Sequence, residues 1–272
     1  MRGRVLVIAG SDSGGGAGIQ ADIKAITALD AFAMTAITAL TAQNTTGVQG
    51  VHPVPPDFLR LQIQSVLDDL GADAIKTGML GDATTIATVA DALAARAQGL
   101  PVVVDPVMVA KGGHSLLARE AVAHLRARLL PLATLLTPNL PEAEVLTGLV
   151  IDSEAAMHEA AAGILALGVP AVLLKGGHLP GDDLVDLLAT PGHTIAYRSI
   201  RVATRHTHGT GCTLASAIAA GLAQGLPLPD AVARARIYVR AALLAAPGYG
   251  AGHGPLNHAV TVDLSRLPGT PA

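Results

Sequence analysis

The chain has 272 residues, half of them hydrophobic, with a formal net charge of −3 and no block of lysine or arginine. This length fits one large α/β domain or two small ones, with a sizeable core. Aromatic residues make up only 2% and tryptophan is absent, so neither a base-stacking nucleic-acid surface nor an anionic membrane is an expected partner.

In chain order, apolar runs of strand length alternate with Ala- and Leu-rich stretches of helical period. The runs are "RVLVIA", "AMTAITAL", "ADAIKTG", "PVVVDPV", "ATLLTPN" and "PAVLLKGG". The spacing predicts helices over 19–29, 56–70, 82–97, 118–130 and 153–167, with Ser153 as an N-cap. Continuous apolar strands separated by helices indicate βαβ units and a largely parallel sheet covered on both faces. After Gly177 the rhythm changes: "DDLVDLL" and "HTIAYRSIRV" predict an antiparallel edge, followed by helices over 210–224 and 231–246. No Pro/Gly/Ser linker divides the chain, so a single domain over 1–272 with a frayed tail is expected. The tetrapeptide "KGGH" occurs at Lys111 and at Lys175, too few copies for a repeat architecture. The first apolar run, "VLVIA", is too short for a signal peptide or a membrane span, and one cysteine forms no internal disulfide. A soluble cytoplasmic protein is the expectation.

In open parallel sheets ligands bind beyond the carboxyl ends of the strands. The segments to inspect are therefore 10–18, 41–47, 77–81, 105–114, 137–142 and 175–178, which are rich in Gly, Asn, Asp, Gln and Lys. The first, within "VIAGSDSGGGAGIQ", invites a phosphate-binding reading. A Walker A loop needs Gly-Lys-Ser/Thr, and no Gly-Lys pair occurs in the chain. A GxGxxA form starts at Gly16, but six residues separate it from its strand. The acidic residue that should follow about 20 positions later is missing as well. Dinucleotide binding is thereby disfavoured, and the loop still carries Ser11, Asp12, Ser13, Gln20 and Asp22, which a plain turn would not need.

A second glycine motif, "THGTGCTLASAIAAGLAQG", opens a helix at Gly209-Thr210-Gly211-Cys212. The free N–H groups of a first helical turn and the positive end of its dipole form an anion site. Such groups could stabilise a γ-phosphoryl in transfer. A glycine-rich helix start with a buried cysteine is the plain alternative. A thiol in a first turn is expected to have a lowered pKa, so Cys212 could act as a thiolate base. Zinc-ligand spacing and a G-x-S-x-G elbow are both absent.

Taken in order, "AGSDSGGGAGIQADIK", "TAQNTTGVQ", "KTGML", "DPVMVAKGG", "TPNLPEAEVLTG", "LLKGGH" and "THGTGCT" resemble the hydroxymethylpyrimidine kinase / phosphomethylpyrimidine kinase family of thiamine biosynthesis. The resemblance runs from about Val5 to "GHGPLNH" at His258. It implies a ribokinase-like, three-layer α/β/α fold and phosphorylation of a pyrimidine alcohol, then of its monophosphate, with ATP and Mg²⁺. It also implies that the N-terminal glycine loop, including Gly10, lies on the pyrimidine side. Asp22 and Gln43 match residues that hydrogen-bond the aminopyrimidine, and Met79 and Val107 match apolar neighbours of its ring. Gly209, Thr210, Gly211 and Cys212 match the anion hole and base, where many relatives in the wider group carry Asp in place of Cys. Lys175, Thr137, Asn139 and Thr207 match the nucleotide side. Glu142 and Asp105 match groups that organise Mg²⁺, partly through water.

Departures from the family pattern are Gly14, Gly112, His114, Arg205 and His206. A pyridoxal/pyridoxine kinase is the nearest rival, and a silent pyrimidine-binding protein is a remote one. Relatives are commonly dimers, and a mean hydropathy of +0.48 is compatible with a buried interface.

Overall fold

A computed structural model describes residues 1–108 and 120–266. The first "KGGH", the departures Gly112 and His114, the start of the helix expected over 118–130, and the last six residues of the tail lie outside these. The elements run β1 (Arg4–Asp12), α1 (Gly18–Ala28), β2 (Phe32–Asn44), β3 (Gly47–Pro53), α2 (Pro56–Asp69), β4 (Ala74–Thr77), α3 (Ala83–Arg96) and β5 (Val102–Val104). They continue through α4 (Ala121–His124), β6 (Leu135–Leu136), α5 (Leu140–Thr147), α6 (Glu154–Leu165) and β7 (Val172–Lys175). The chain then forms β8 (Asp183–Thr190), β9 (His193–Ile200), α7 (Thr210–Ala223) and α8 (Leu228–Leu244).

All nine strands join one sheet in the order β3-β2-β1-β4-β5-β6-β7-β8-β9. The six strands from β2 to β7 in that row are parallel, and the expected antiparallel edge forms from β8 and β9. Period-2 burial on both faces explains the unbroken apolar strands. Along β1, Leu6 and Ile8 enter a core shared with α2, α3 and α6, while Val5, Val7 and Ala9 enter one shared with α1, α7 and α8. Three layers result. Ser153 caps α6 as expected, its hydroxyl accepting the Ala156 N–H at 3.2 Å. Ser153→Ala should therefore lower stability by about 1 kcal/mol, read as a lower urea midpoint at unchanged m; an unmoved midpoint would remove the cap from the account.

Two elements were not anticipated. The segment 41–47, read as a post-strand loop, is instead the tip of a β2–β3 hairpin. Strand β3, "GVQGVHP", is half-buried at Gly47 and Val48 and exposed elsewhere, so it lacks the apolar alternation that marks a strand. Helix α5 is only eight residues long, too short to show a period. β1 pairs with β2 on one side and β4 on the other, so the chain reverses direction across the sheet beside β1. The crevice at this switch point, above the carboxyl ends of β1 and β4, is where a ligand is expected.

Candidate active site

The ends of three parallel strands, β5, β6 and β7, bring distant residues together. Lys175, the last residue of β7, places Nζ 3.1 Å from Asp105 Oδ1, just beyond β5. Thr137, following β6, donates its hydroxyl to the same oxygen at 3.2 Å. Asn139 Oδ1 accepts the Glu142 N–H at 2.9 Å, and Glu142 Oε2 accepts the Asn139 N–H at 2.8 Å. The N-x-x-E element is thus a capping box that opens α5, and its two side chains are held in place by it. Burial, reinforced by Asp105, pushes the Glu142 carboxyl up to about 7 against the pull of Lys175. Burial works against the Lys175 ammonium too, but Asp105 and Glu142 outweigh it, so the lysine titrates above its ordinary value.

Helix α7 points its N-terminus at this cluster. A side chain on Gly211 would begin 3.2 Å from Lys175 Nζ and 3.6 Å from Asp105 Oδ2. No side chain caps α7, whose N-cap is Gly209. Thr210 turns its hydroxyl back to the Thr207 carbonyl at 2.7 Å, which shapes the entry to the helix. Gly209 has φ +81°, and a Cβ there would lie 1.8 Å from the Gly16 carbonyl oxygen. Only glycine fits, and the two glycine motifs are thereby pressed backbone to backbone.

The thiol of Cys212 corrects one expectation. Its pKa is not lowered but pushed up to about 12, chiefly by burial, with Asp22 and Asp105 adding to the rise. Lys76 and the backbone of Gly18 oppose it without prevailing. Desolvation of a thiolate outweighs the helix terminus here, and the resting group is a neutral thiol.

Asp22 corrects a second expectation. It is fully buried, and Lys76 Nζ lies 2.9 Å from each of its oxygens, while Ser216 donates to Oδ1 at 2.7 Å. Both carboxylate oxygens are thus engaged inside the protein rather than exposed in the crevice. Burial alone would discharge both partners, but the direct pairing holds Lys76 protonated. Of the three residues expected as apolar neighbours of a ring, Gly10 and Met79 lie side by side, and Val107 stands two residues beyond Asp105. A side chain on Gly10 would meet the Met79 methyl at 2.3 Å, and Val107 follows Asp105 in a tight turn, half-buried. Gln43, half-buried near the end of β2, lies beside His208.

Three residues that the sequence reading did not assign prove central. Asp12 accepts the N–H groups of Gly14, Gly16 and Ala17 at 2.8, 3.1 and 2.8 Å, and its Oδ2 is 2.8 Å from His208 Nε2. Burial opposes ionisation of Asp12, but His208 and the loop amides outweigh it and hold the carboxyl below its usual range. The glycine loop is thus wound around one carboxylate. An Asp just before a glycine run is the local signal for such a turn. Lys76, the third, was marked only by being a charge inside the buried strand "AIKT".

The phosphomethylpyrimidine kinase family profile matches residues 12–257. The hydroxymethylpyrimidine/phosphomethylpyrimidine kinase of Streptomyces coelicolor is 52% identical, with 93% of each chain covered. The thiamine biosynthesis bifunctional protein ThiED of Geobacter sulfurreducens is 53% identical over 97% of this chain, which spans 54% of that longer protein. Among solved structures, an ADP complex of Bacillus subtilis pyridoxal kinase superposes with a TM-score of 0.89 at 37% identity, covering 96% of this chain and 98% of that one. The fold is ribokinase-like, and the chain belongs to the phosphomethylpyrimidine kinase family.

Proposed function

We propose that this protein, as one kinase domain, transfers the γ-phosphoryl of ATP to 4-amino-5-hydroxymethyl-2-methylpyrimidine and then to the resulting monophosphate, in thiamine biosynthesis. The observation that carries this is the first turn of α7, without a side-chain cap, opening onto the Lys175–Asp105 pair beyond the carboxyl ends of β5 and β7. Family membership supports the substrate, and the ADP complex of a structural neighbour supports the nucleotide.

The amides at the start of α7 hold the migrating phosphoryl, and Lys175 supplies a point charge to the nucleotide phosphates. Cys212 takes the proton of the attacking hydroxyl once its own has left. Asp105 and Glu142 suit a divalent cation that is shared with phosphates and water. Both are hard oxygen donors, and no cluster of three candidate ligands exists among the described residues. Mg²⁺ held there would offset charge on the phosphates.

On the pyrimidine side Gln43 offers an amide to the ring edge, with Gly10, Met79 and Val107 around it. Gln43→Ala should weaken pyrimidine binding roughly tenfold while leaving ATP affinity near normal. An unchanged pyrimidine Kd by calorimetry would contradict the pocket. The likeness to pyridoxal kinase makes a pyridine methanol the second substrate to try. ADP release with the pyrimidine alcohol, its monophosphate, pyridoxal and ribose, each with and without Mg²⁺, tests the reading. Turnover of pyridoxal alone would overturn it.

A further inference from the structure

Lys175 passes over its nearest carboxylate. Across the antiparallel β7–β8 ladder its register partner is Asp186. Both side chains lie on the face of the sheet that packs against α7 and α8, since Leu173 and Leu188, two residues from each, enter that core. A lysine and an aspartate opposed on one face pair readily, because adjacent strands lie only about 5 Å apart. Asp105, with which Lys175 pairs instead, stands just beyond β5, and β6 lies between. Reaching it spans two strand spacings, about 10 Å. Arg236 supplies the reason. From α8 its Nε donates to Asp186 Oδ2 at 2.8 Å, while Asp186 Oδ1 accepts the Gly176 N–H at 3.0 Å. The guanidinium is braced from β9 as well. It lies 5.3 Å from the centre of the Tyr197 ring and donates to the Tyr197 carbonyl at 3.1 Å and the Ser199 hydroxyl at 3.3 Å.

We infer that Arg236 is a positioning residue for Lys175. By engaging Asp186 it withdraws the nearer carboxylate and leaves the Lys175 ammonium to Asp105 and to the nucleotide phosphates. This rests on the reading of Lys175 as a phosphate contact. The Arg236 and Asp186 side chains are only 15% and 10% exposed, so water competes little with their pairing. Asp186 itself cannot move away. A side chain on Gly176 would begin 1.9 Å from the Val185 carbonyl oxygen, so the backbone leaving β7 lies directly against β8, and the Gly176 N–H holds Asp186 Oδ1 there. Without Arg236, Oδ2 of that fixed carboxylate is left beside Lys175, and the ammonium turns to it.

Two measurements test this. The first needs no nucleotide: a crystal structure of Arg236→Leu should show Lys175 Nζ moved from Asp105 to Asp186. An ammonium still paired with Asp105 there would overturn the inference. The second is calorimetric binding of ATP with Mg²⁺. Arg236→Leu should weaken it roughly tenfold, the scale of one hydrogen bond to a charged group, and leave pyrimidine affinity unchanged. Adding Asp186→Asn to Arg236→Leu removes the competing carboxylate and should restore most of the ATP affinity. A brace with no bearing on Lys175 predicts no such rescue, since the double variant only gives up further contacts. A double variant no tighter than the single one would therefore overturn the inference. Arg236→Lys keeps a cation against Asp186 while losing the Tyr197 and Ser199 contacts, and it should recover the affinity that Arg236→Leu loses. Should Arg236→Leu fail to fold, Arg236→Gln against Arg236→Lys poses the same contrast of charge lost and charge kept. Equal ATP affinity in those two would sink the idea. If Lys175→Ala bound ATP as tightly as the parent, the phosphate reading of Lys175 would fall, while the position of Nζ in the neutral Arg236 variant still decided the placement.

Discussion

Replacing Cys212 by alanine is expected to lower kcat by roughly 10²–10⁴-fold, the usual range for a lost proton acceptor, while KM for both substrates changes little. The thiol stands in the first turn of α7, next to the glycine amides that face Lys175 and Asp105. Its removal takes away an interaction made only as the hydroxyl loses its proton. With the thiol pushed up to about 12, the ionised fraction is small at neutral pH and grows about tenfold for each unit of pH. A base must be deprotonated to act, so kcat/KM of the intact protein should climb with pH. Glu142, which titrates near 7, affects only the lower part of that profile. Above about pH 8, where Glu142 is already ionised, the slope should persist in the intact protein and vanish in Cys212→Ala. Near-normal kcat in the variant would remove the cysteine from the mechanism. In a loose phosphoryl-transfer transition state the acceptor oxygen becomes acidic late, and a strongly basic thiolate suits that timing.

Lys76→Met should be the most destabilising single change considered, at about 3–5 kcal/mol. Lys76 and Asp22 are both fully inaccessible to solvent, so removing the ammonium strands a carboxylate that only Ser216 still supports. The double variant Asp22→Asn/Lys76→Met discharges the site and should recover at least half of the loss. Urea midpoints at matched m-values measure both. A single variant within about 1 kcal/mol of the parent would show that the pair is not held as ions. Because Lys76 also favours the thiolate of Cys212, the folded fraction of Lys76→Met should turn over more slowly than the parent.

Much of the fold was legible in the sequence because its signals are local. The apolar runs of β1, β5 and β7 reflect burial on two faces, and the 3.6-residue period of α2 and α3 reflects burial on one. The hairpin strand β3 stayed hidden because most of its residues face solvent and nothing enforces an apolar pattern there. The polar segments that follow the strands also identified where a site would lie, since chain direction in a parallel sheet places all those ends on one side. Residue types near Lys175, Asp105 and Gly209 therefore pointed to phosphate chemistry before any partner was known.

Which partners those groups meet was decided only by the tertiary structure. Asp22 meets Lys76 across 54 residues, Gln43 meets His208 across 165, and Asp12 meets the same histidine across 196. No periodicity spans such distances. Burial of Cys212 depends on which elements close over α7, and it reversed the direction in which a helix terminus alone would have moved the thiol. The sequence by itself determined the layers and the side of the sheet on which the polar strand ends gather. Desolvation and long-range pairing, which exist only once those layers pack, decided that Asp22 is enclosed with Lys76 while Asp105 stands with Lys175 at the strand ends.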